Sequence, residues 1–256
     1  MTAVTGTTEA VVLVKALPHA SARHGETVCC AGIERTGRGG WLRLYPISFR
    51  DLGQAQRFGR WDVIRFSWHL PNDDRREESR RVDHQSVEVV GDLRRSERER
   101  FLAAYVVSGL GPVVTAKRTL ALVRPREPRF IVERKTAAEF DRELAERTAL
   151  HAQTQLFGVG HLVPPEPCPY RFKYAYKLDE GGREGTCEDW ETETTYLRWR
   201  QEYGEERAIA DMRQVFGERY PTEGMVFAMG THSRFPDRWL IVGVIRLNEV
   251  RQAALL

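Results

Sequence analysis

Four short runs of β-branched and aromatic residues, each ended by glycine, proline or a polar cluster, fill the first part of the sequence. They are residues 10–17 (AVVLVKAL), 27–33 (TVCCAGI), 41–47 (WLRLYPI) and 61–68 (WDVIRFSW). Runs this short, with these side chains, favour extended backbone over helix. Residues 34–40 (ERTGRGG) hold three glycines, which supply the positive backbone angles of a tight turn. The second and third runs therefore form a hairpin. Further short strands are expected at residues 86–90, 120–123 and 130–133, with polar loops at 18–25 and 72–81. A short helix is expected at 48–56. Another is expected at 96–108, where Ser96 and Glu99 have capping-box spacing. Strands that cannot bury themselves alone must pair, and four or five of them predict a small, half-open β-barrel-like domain.

The second half reads differently. Ala137, Phe140, Leu144 and Ala145 recur at helical spacing within residues 136–157. Residues 158–169 are rich in glycine and proline and read as a linker. Residues 170–177 (YRFKYAYK) alternate as a strand, with Tyr170, Phe172, Tyr174 and Tyr176 on one face, most simply a buried one. A glycine-containing loop at 179–185 leads to a long helical pattern, 189–217, interrupted at Gly204. Two apolar runs, 225–230 and 239–246, close the sequence as a strand pair joined by 231–238. The fold class expected is α+β: the barrel-like domain, then an α/β C-terminal part with an antiparallel sheet and a long helix. The divisions expected are a basic β-rich domain (1–135), a helix and linker (136–169), and an α+β domain carrying the site (170–256).

Charge separates the halves. Of 39 basic residues only five are lysine, and arginine forms planar, bidentate contacts with phosphates and guanine edges. Residues 1–130 carry 22 basic and 15 acidic side chains, net +7, against 17 and 21, net −4, for the remainder. A basic half beside an acidic half suits a protein that docks a polyanion with one part and works on it with the other. Arginine-rich solvated loops with no partner would have the same composition. No apolar run reaches the ~20 residues of a membrane helix, and residues 1–8 lack a signal-peptide pattern. A cytoplasmic protein without membrane association is expected, and its four cysteines are expected to stay reduced.

The segments Glu26-Thr27-Val28-Cys29-Cys30-Ala31-Gly32-Ile33 and Trp41-Leu42-Arg43-Leu44-Tyr45-Pro46 resemble the opening of an uncharacterised bacterial protein family of similar length. Asp189-Trp190-Glu191, Gly230-Thr231-His232 and Trp239-Leu240-Ile241-Val242-Gly243 resemble its closing half. The likeness spans most of the chain and implies no activity or catalytic residue.

The candidate chemistry centres on Asp189, Glu191 and His232. If residues 189–191 are extended, both acids share a face. If a helix has begun there, they diverge by roughly 200°. Paired carboxylates beside an aromatic can activate water or stabilise a cationic sugar-like transition state. The plainer reading makes Asp189 a helix cap and Glu191 a first-turn acid. His232 suits acid–base work or a phosphate contact, and Arg234 suits a phosphate clamp. Trp41, Arg43 and Tyr45 share one strand face and offer a stacking surface for a base, with Arg38 and Arg65 as further nucleic-acid contacts. Cys168, Cys187 and His232 lack metal-ligand spacing, and no phosphate-binding glycine loop or nucleophile elbow occurs. No metal or cofactor is expected. The function expected is action on nucleic acid, DNA ahead of RNA. The favoured form is metal-independent hydrolysis of the base–sugar bond of a flipped or modified nucleotide, as in a DNA glycosylase. The alternative is a reader that binds modified or single-stranded nucleic acid without chemistry.

Overall fold

A computed structural model describes residues 4–21, 25–37, 39–49, 52–156, 166–232 and 235–247. The first half contains β1 (Thr5–Lys15), β2 (His19–Ser21), β3 (Gly25–Glu34), β4 (Trp41–Ile47), β5 (Asp62–His69), β6 (Ser79–Val82), β7 (Glu88–Asp92) and the helix α1 (Arg95–Ala103). β1 pairs antiparallel with both β3 and β5, β3 with β4, and β5 with β6, while β4 and β6 run parallel. The ring therefore closes fully. Counted along the chain, its five strands have the circular order 1-2-3-5-4, the Greek-key arrangement of OB-type barrels. β2 extends β3, and β7 extends β5. β2 falls in the stretch expected to be loop, because residues 19–21 find an edge partner at 25–27.

The unbroken apolar run of β1 has a physical reason. Ala10 and Val12 point into the barrel with Val28, Cys30, Leu44, Ile64 and Phe66. Val11 and Leu13, one residue out of phase, pack outside it with Leu120, Leu122, Val226, Ala228 and Val242. Both faces are buried, so alternation disappears.

The second half comprises β8 (Val106–Val107), α2 (Gly111–Thr115), β9 (Leu120–Val123), β10 (Arg126–Arg134), α3 (Ala137–Leu156), β11 (Tyr170–Leu178), β12 (Gly181–Thr186), α4 (Trp190–Tyr203) and α5 (Glu205–Met212). A π-helical stretch, Arg213–Arg219, then α6 (Tyr220–Glu223), β13 (Met225–His232) and β14 (Phe235–Arg246) complete it. The fold is α+β, as expected. One sheet has the order β14-β13-β9-β8 and packs on the outside of the barrel. The other, β10-β11-β12, buries Phe172, Tyr174 and Tyr176 against Tyr196, Met212, Phe216 and Phe227. The glycines of residues 181–185 lie in β12 rather than in a loop, because β11 supplies an antiparallel partner. α1 starts one residue before Ser96, and Ser96 does not cap it. α3 is capped instead by Thr136, whose hydroxyl accepts from the Glu139 amide at 3.3 Å while the Glu139 carboxylate accepts from the Thr136 amide at 2.9 Å. Gly204, at φ 90°, separates α4 from α5, as its position in the helical pattern predicts. Among the described residues, no helix is long and apolar enough to cross a membrane.

Candidate functional site

The helix begins at Trp190, so Asp189 and Glu191 diverge. Asp189 is the N-cap of α4 and is 2% exposed. Its two oxygens accept from Arg60 Nη2 at 3.1 Å each, from the amides of Glu191 and Val244 at 3.3 and 3.0 Å, and from Thr192 Oγ1 at 3.1 Å. Arg60 also donates through Nη1 to the Val244 carbonyl at 2.6 Å. Asp189 and Arg60 thus fasten the barrel to α4 and β14. Burial pushes the Asp189 carboxyl above its ordinary range, and Arg60 and the Val244 amide pull the other way. Burial works to lower the pKa of the Arg60 guanidinium, but Glu191 and Asp189 raise it. A carboxylate with this many donors and almost no exposed surface has no lone pair turned to a substrate.

Glu191 opens into a pocket of about 280 Å³ at the junction of the barrel and the C-terminal half. It lies 3.2 Å from Arg60 and 3.7 Å from Lys15. Lys15 itself sits over the rings of Phe49 and Trp190, which turns Trp190 toward the barrel. The pocket is lined further by Trp61, Arg95, Arg98, Tyr220 and Arg246. Its aromatics are each faced by an arginine: Arg98 is 4.9 Å from the Trp61 ring, and Arg246 is 5.6 Å from that of Tyr220.

Three local features mark this pocket. Trp61 has φ 80°, a conformation that costs a bulky residue energy and gathers at functional sites. The amide of Trp61 donates to Val12 and its carbonyl accepts from Leu93, which holds the strained backbone in place. The π-helical turn Arg213–Arg219 immediately precedes Tyr220, and such turns are rare and frequently found at functional sites. Arg60 Nε is buried with no hydrogen-bond partner among the described residues.

His232 lies elsewhere. It lines a second cleft, of about 480 Å³, with Arg171, Lys173, Glu188, Phe235 and Arg238. Asp189 lines neither cleft, and Glu191 and His232 open into different ones. The three expected catalytic residues are therefore not one site. The physical reason is strand alternation: in the extended segment before α4, Cys187 and Asp189 turn inward and Glu188 turns to the opposite face. Glu188, next to Asp189 in sequence, is the carboxyl that shares the cleft with His232. Burial first, then the charge of Glu193, raise its pKa to about 7. Cys168 and Cys187 are both in the core.

The expected stacking face is partly covered, with Arg43 buried and Trp41 and Tyr45 half-buried. Arg43 is 7% exposed and donates to the carbonyl and hydroxyl of Thr119 at 3.2 and 3.1 Å, and to Cys29 Sγ at 3.7 Å. Trp41 packs against the barrel–sheet cluster, and Tyr45 OH accepts from Thr27 Oγ1 at 3.3 Å. These residues line the joint between barrel and sheet because the apolar outer faces of β1 and β3 draw the C-terminal sheet onto that side. Arg65 is on the surface, ion-paired to Glu9 and Glu88 at 2.8 and 3.4 Å. Arg38 and Arg234 lie outside the described residues.

A family model for a domain of unknown function, DUF8757, matches residues 113–256. The chain belongs to this family. Its first part, residues 6–106, matches a second domain of unknown function, DUF8758, which spans the barrel and α1. No curated protein matches the chain. The arginine pocket is composite: Arg60, Trp61, Arg95 and Arg98 come from the first unit, and Glu191, Tyr220 and Arg246 from the second. Sequence order hid it, because its cations are spread from residue 60 to residue 246. The signal that was available, an arginine beside an aromatic at Arg60-Trp61, is common in this composition.

Proposed function

We propose that the chain binds nucleic acid and takes one phosphate-bearing nucleotide into the arginine pocket. The observation that carries this reading is the convergence of Arg60, Arg95, Arg98 and Arg246 with two aromatic rings in one cleft. Guanidinium groups suit phosphate oxygens, and ring faces suit a base. A pocket of about 280 Å³ has room for a single nucleotide and none for a duplex. A terminal or flipped residue is therefore the species that fits. Barrels of this strand order often bind oligonucleotides, which supports the reading by analogy of fold. Here the usual barrel face is packed against the C-terminal sheet, so the nucleotide enters at the junction instead.

Binding without chemistry accounts for Asp189, whose bonds are those of a cap. Hydrolysis of the base–sugar bond is the second reading. It is favoured by Glu191, a carboxylate in the pocket that is ion-paired to Arg60 and Lys15 and able to orient water or stabilise a cationic sugar.

Fluorescence anisotropy with 5′-phosphorylated and 5′-hydroxyl single strands of DNA and RNA tests the proposal. The phosphorylated strands should bind more tightly, with a salt slope of roughly −0.7 per phosphate contact. Arg95→Gln combined with Arg98→Gln should remove that preference. Absence of binding at low salt, or binding unchanged in the double variant, overturns the proposal. Mass spectrometry of the same mixtures separates the two readings: released base supports hydrolysis if Glu191→Gln abolishes it.

A further inference from the structure

The second cleft has β14 in common with the arginine pocket but shares no lining residue with it. Its floor is the outer face of β11, β12 and the segment leading to α4. Lys173 pairs with Thr186 across the strands, and the Glu188 amide donates to the Ile241 carbonyl at 2.7 Å, which places Arg171, Lys173, Thr186 and Glu188 together on that face. Arg171 and Lys173 are held there by ion pairs of 2.7 and 2.6 Å to Glu133. Arg238 reaches the same space from β14, is exposed, and has no ion pair among the described residues. Phe235, at 59% exposure, adds an open ring face at the rim.

Glu188 is the unusual member. Its side chain is part-buried, yet among the described residues no hydrogen bond or ion pair reaches its carboxyl. The charged groups facing it are Glu193 from α4, Lys135 from between β10 and α3, Glu143 from α3, and Arg171 from β11. His232 of β13, Lys173 of β11 and Arg238 of β14 share the cleft. Two of these neighbours are acids, so the cations do not cancel the cost of ionising it. A carboxyl that keeps its proton near neutrality can donate a hydrogen bond, and cations around it attract an oxyanion.

We propose that this cleft is a second ligand site, for a ring-bearing phosphomonoester of nucleotide size. Arg171, Lys173 and Arg238 hold the phosphate, Phe235 faces the ring, and the Glu188 carboxyl donates a hydrogen bond to a phosphate oxygen. Because none of its lining residues belongs to the arginine pocket, it is independent of the nucleic-acid reading.

The test is calorimetric titration of the full chain with adenosine 5′-monophosphate at pH 7.0 and pH 8.5. Over this window the nucleotide stays a dianion, so changes in affinity report on the protein. Affinity should fall roughly tenfold or more between the two, as the Glu188 proton is lost. Glu188→Gln, whose amide still donates, should bind equally at both. Arg238→Ala should weaken binding about tenfold at pH 7. In the Arg95→Gln, Arg98→Gln variant, which removes nucleotide binding in the arginine pocket, the pH-dependent binding should remain. Loss in that variant, no effect of Arg238→Ala, or an unchanged pH dependence in Glu188→Gln overturns the proposal. Should Glu188→Gln fail to fold, carbon NMR of the wild-type Glu188 carboxyl replaces it: the nucleotide should raise its titration midpoint, and an unmoved midpoint overturns the proposal.

Discussion

Replacing Arg60 by Met tests whether Asp189 is a fastener or a catalyst. Arg60 bonds both Asp189 oxygens at 3.1 Å and the Val244 carbonyl at 2.6 Å, and its side chain and that of Asp189 are 10% and 1% exposed. Met fills much of the same volume but leaves a buried carboxylate without its cation, which costs about 3–5 kcal/mol. The cost has a pH signature. Without Arg60, only its remaining hydrogen bonds, such as that from the Val244 amide, oppose burial and the charge of Glu191, so the folded pKa of Asp189 rises further above the unfolded value. A group with a raised folded pKa loses stability as pH rises through the window between the two. The deficit of Arg60→Met relative to the wild type should therefore be larger at pH 7 than at pH 5. Asp189→Asn removes the stranded charge, so adding it to Arg60→Met should restore at least about 1.5 kcal/mol, a coupling expected of contacting residues. Urea denaturation followed by tryptophan fluorescence at both pH values measures all three variants. An Arg60→Met loss below about 1 kcal/mol, or no rescue by Asp189→Asn, would refute the fastener and return Asp189 to the list of catalytic candidates.

Glu188→Gln should stabilise the free protein above pH 7. The wild-type carboxyl, raised to about 7 from 4.5, makes folding less favourable as pH climbs through that interval. At about 1.4 kcal/mol per pH unit, the ceiling is about 3 kcal/mol, reduced by the cleft's access to water. Equal urea midpoints for variant and wild type at pH 8 would contradict it. Gly32→Ala should destabilise the barrel by about 1–3 kcal/mol, because an added methyl at residue 32 meets the Val11 carbonyl of the neighbouring strand. A melting temperature within one degree of wild type would show that β1 can move aside.

The barrel was legible because its signal is local. Residues 27–33, 34–40 and 41–47 state a strand, a turn and a strand within the reach of a single hairpin, and β3 and β4 pair as that pattern predicts. The buried face of Phe172, Tyr174 and Tyr176 and the break at Gly204 were legible for the same reason: a period and a helix breaker act on near neighbours. The closure of the ring was not legible. It depends on β1 meeting β5 and on the parallel contact of β4 with β6, between residues far apart in the chain. The candidate site divides along the same line. The acidic segment 188–191 was legible as the start of a helix, but the strand before it, β12, was expected to be a loop. Which of its acids is sealed, which is ion-paired in a pocket and which faces a cleft depended on one residue of phase, set by where α4 begins and by what lies opposite. Arg43 and Arg60 carry the lesson most plainly. As sequence they are two of many arginines in a basic half. Only the docking of the C-terminal sheet makes one a seal at Thr119 and the other a bridge between Asp189, Glu191 and Val244. Burial and partner choice are properties of surfaces brought together, and a linear pattern does not contain them.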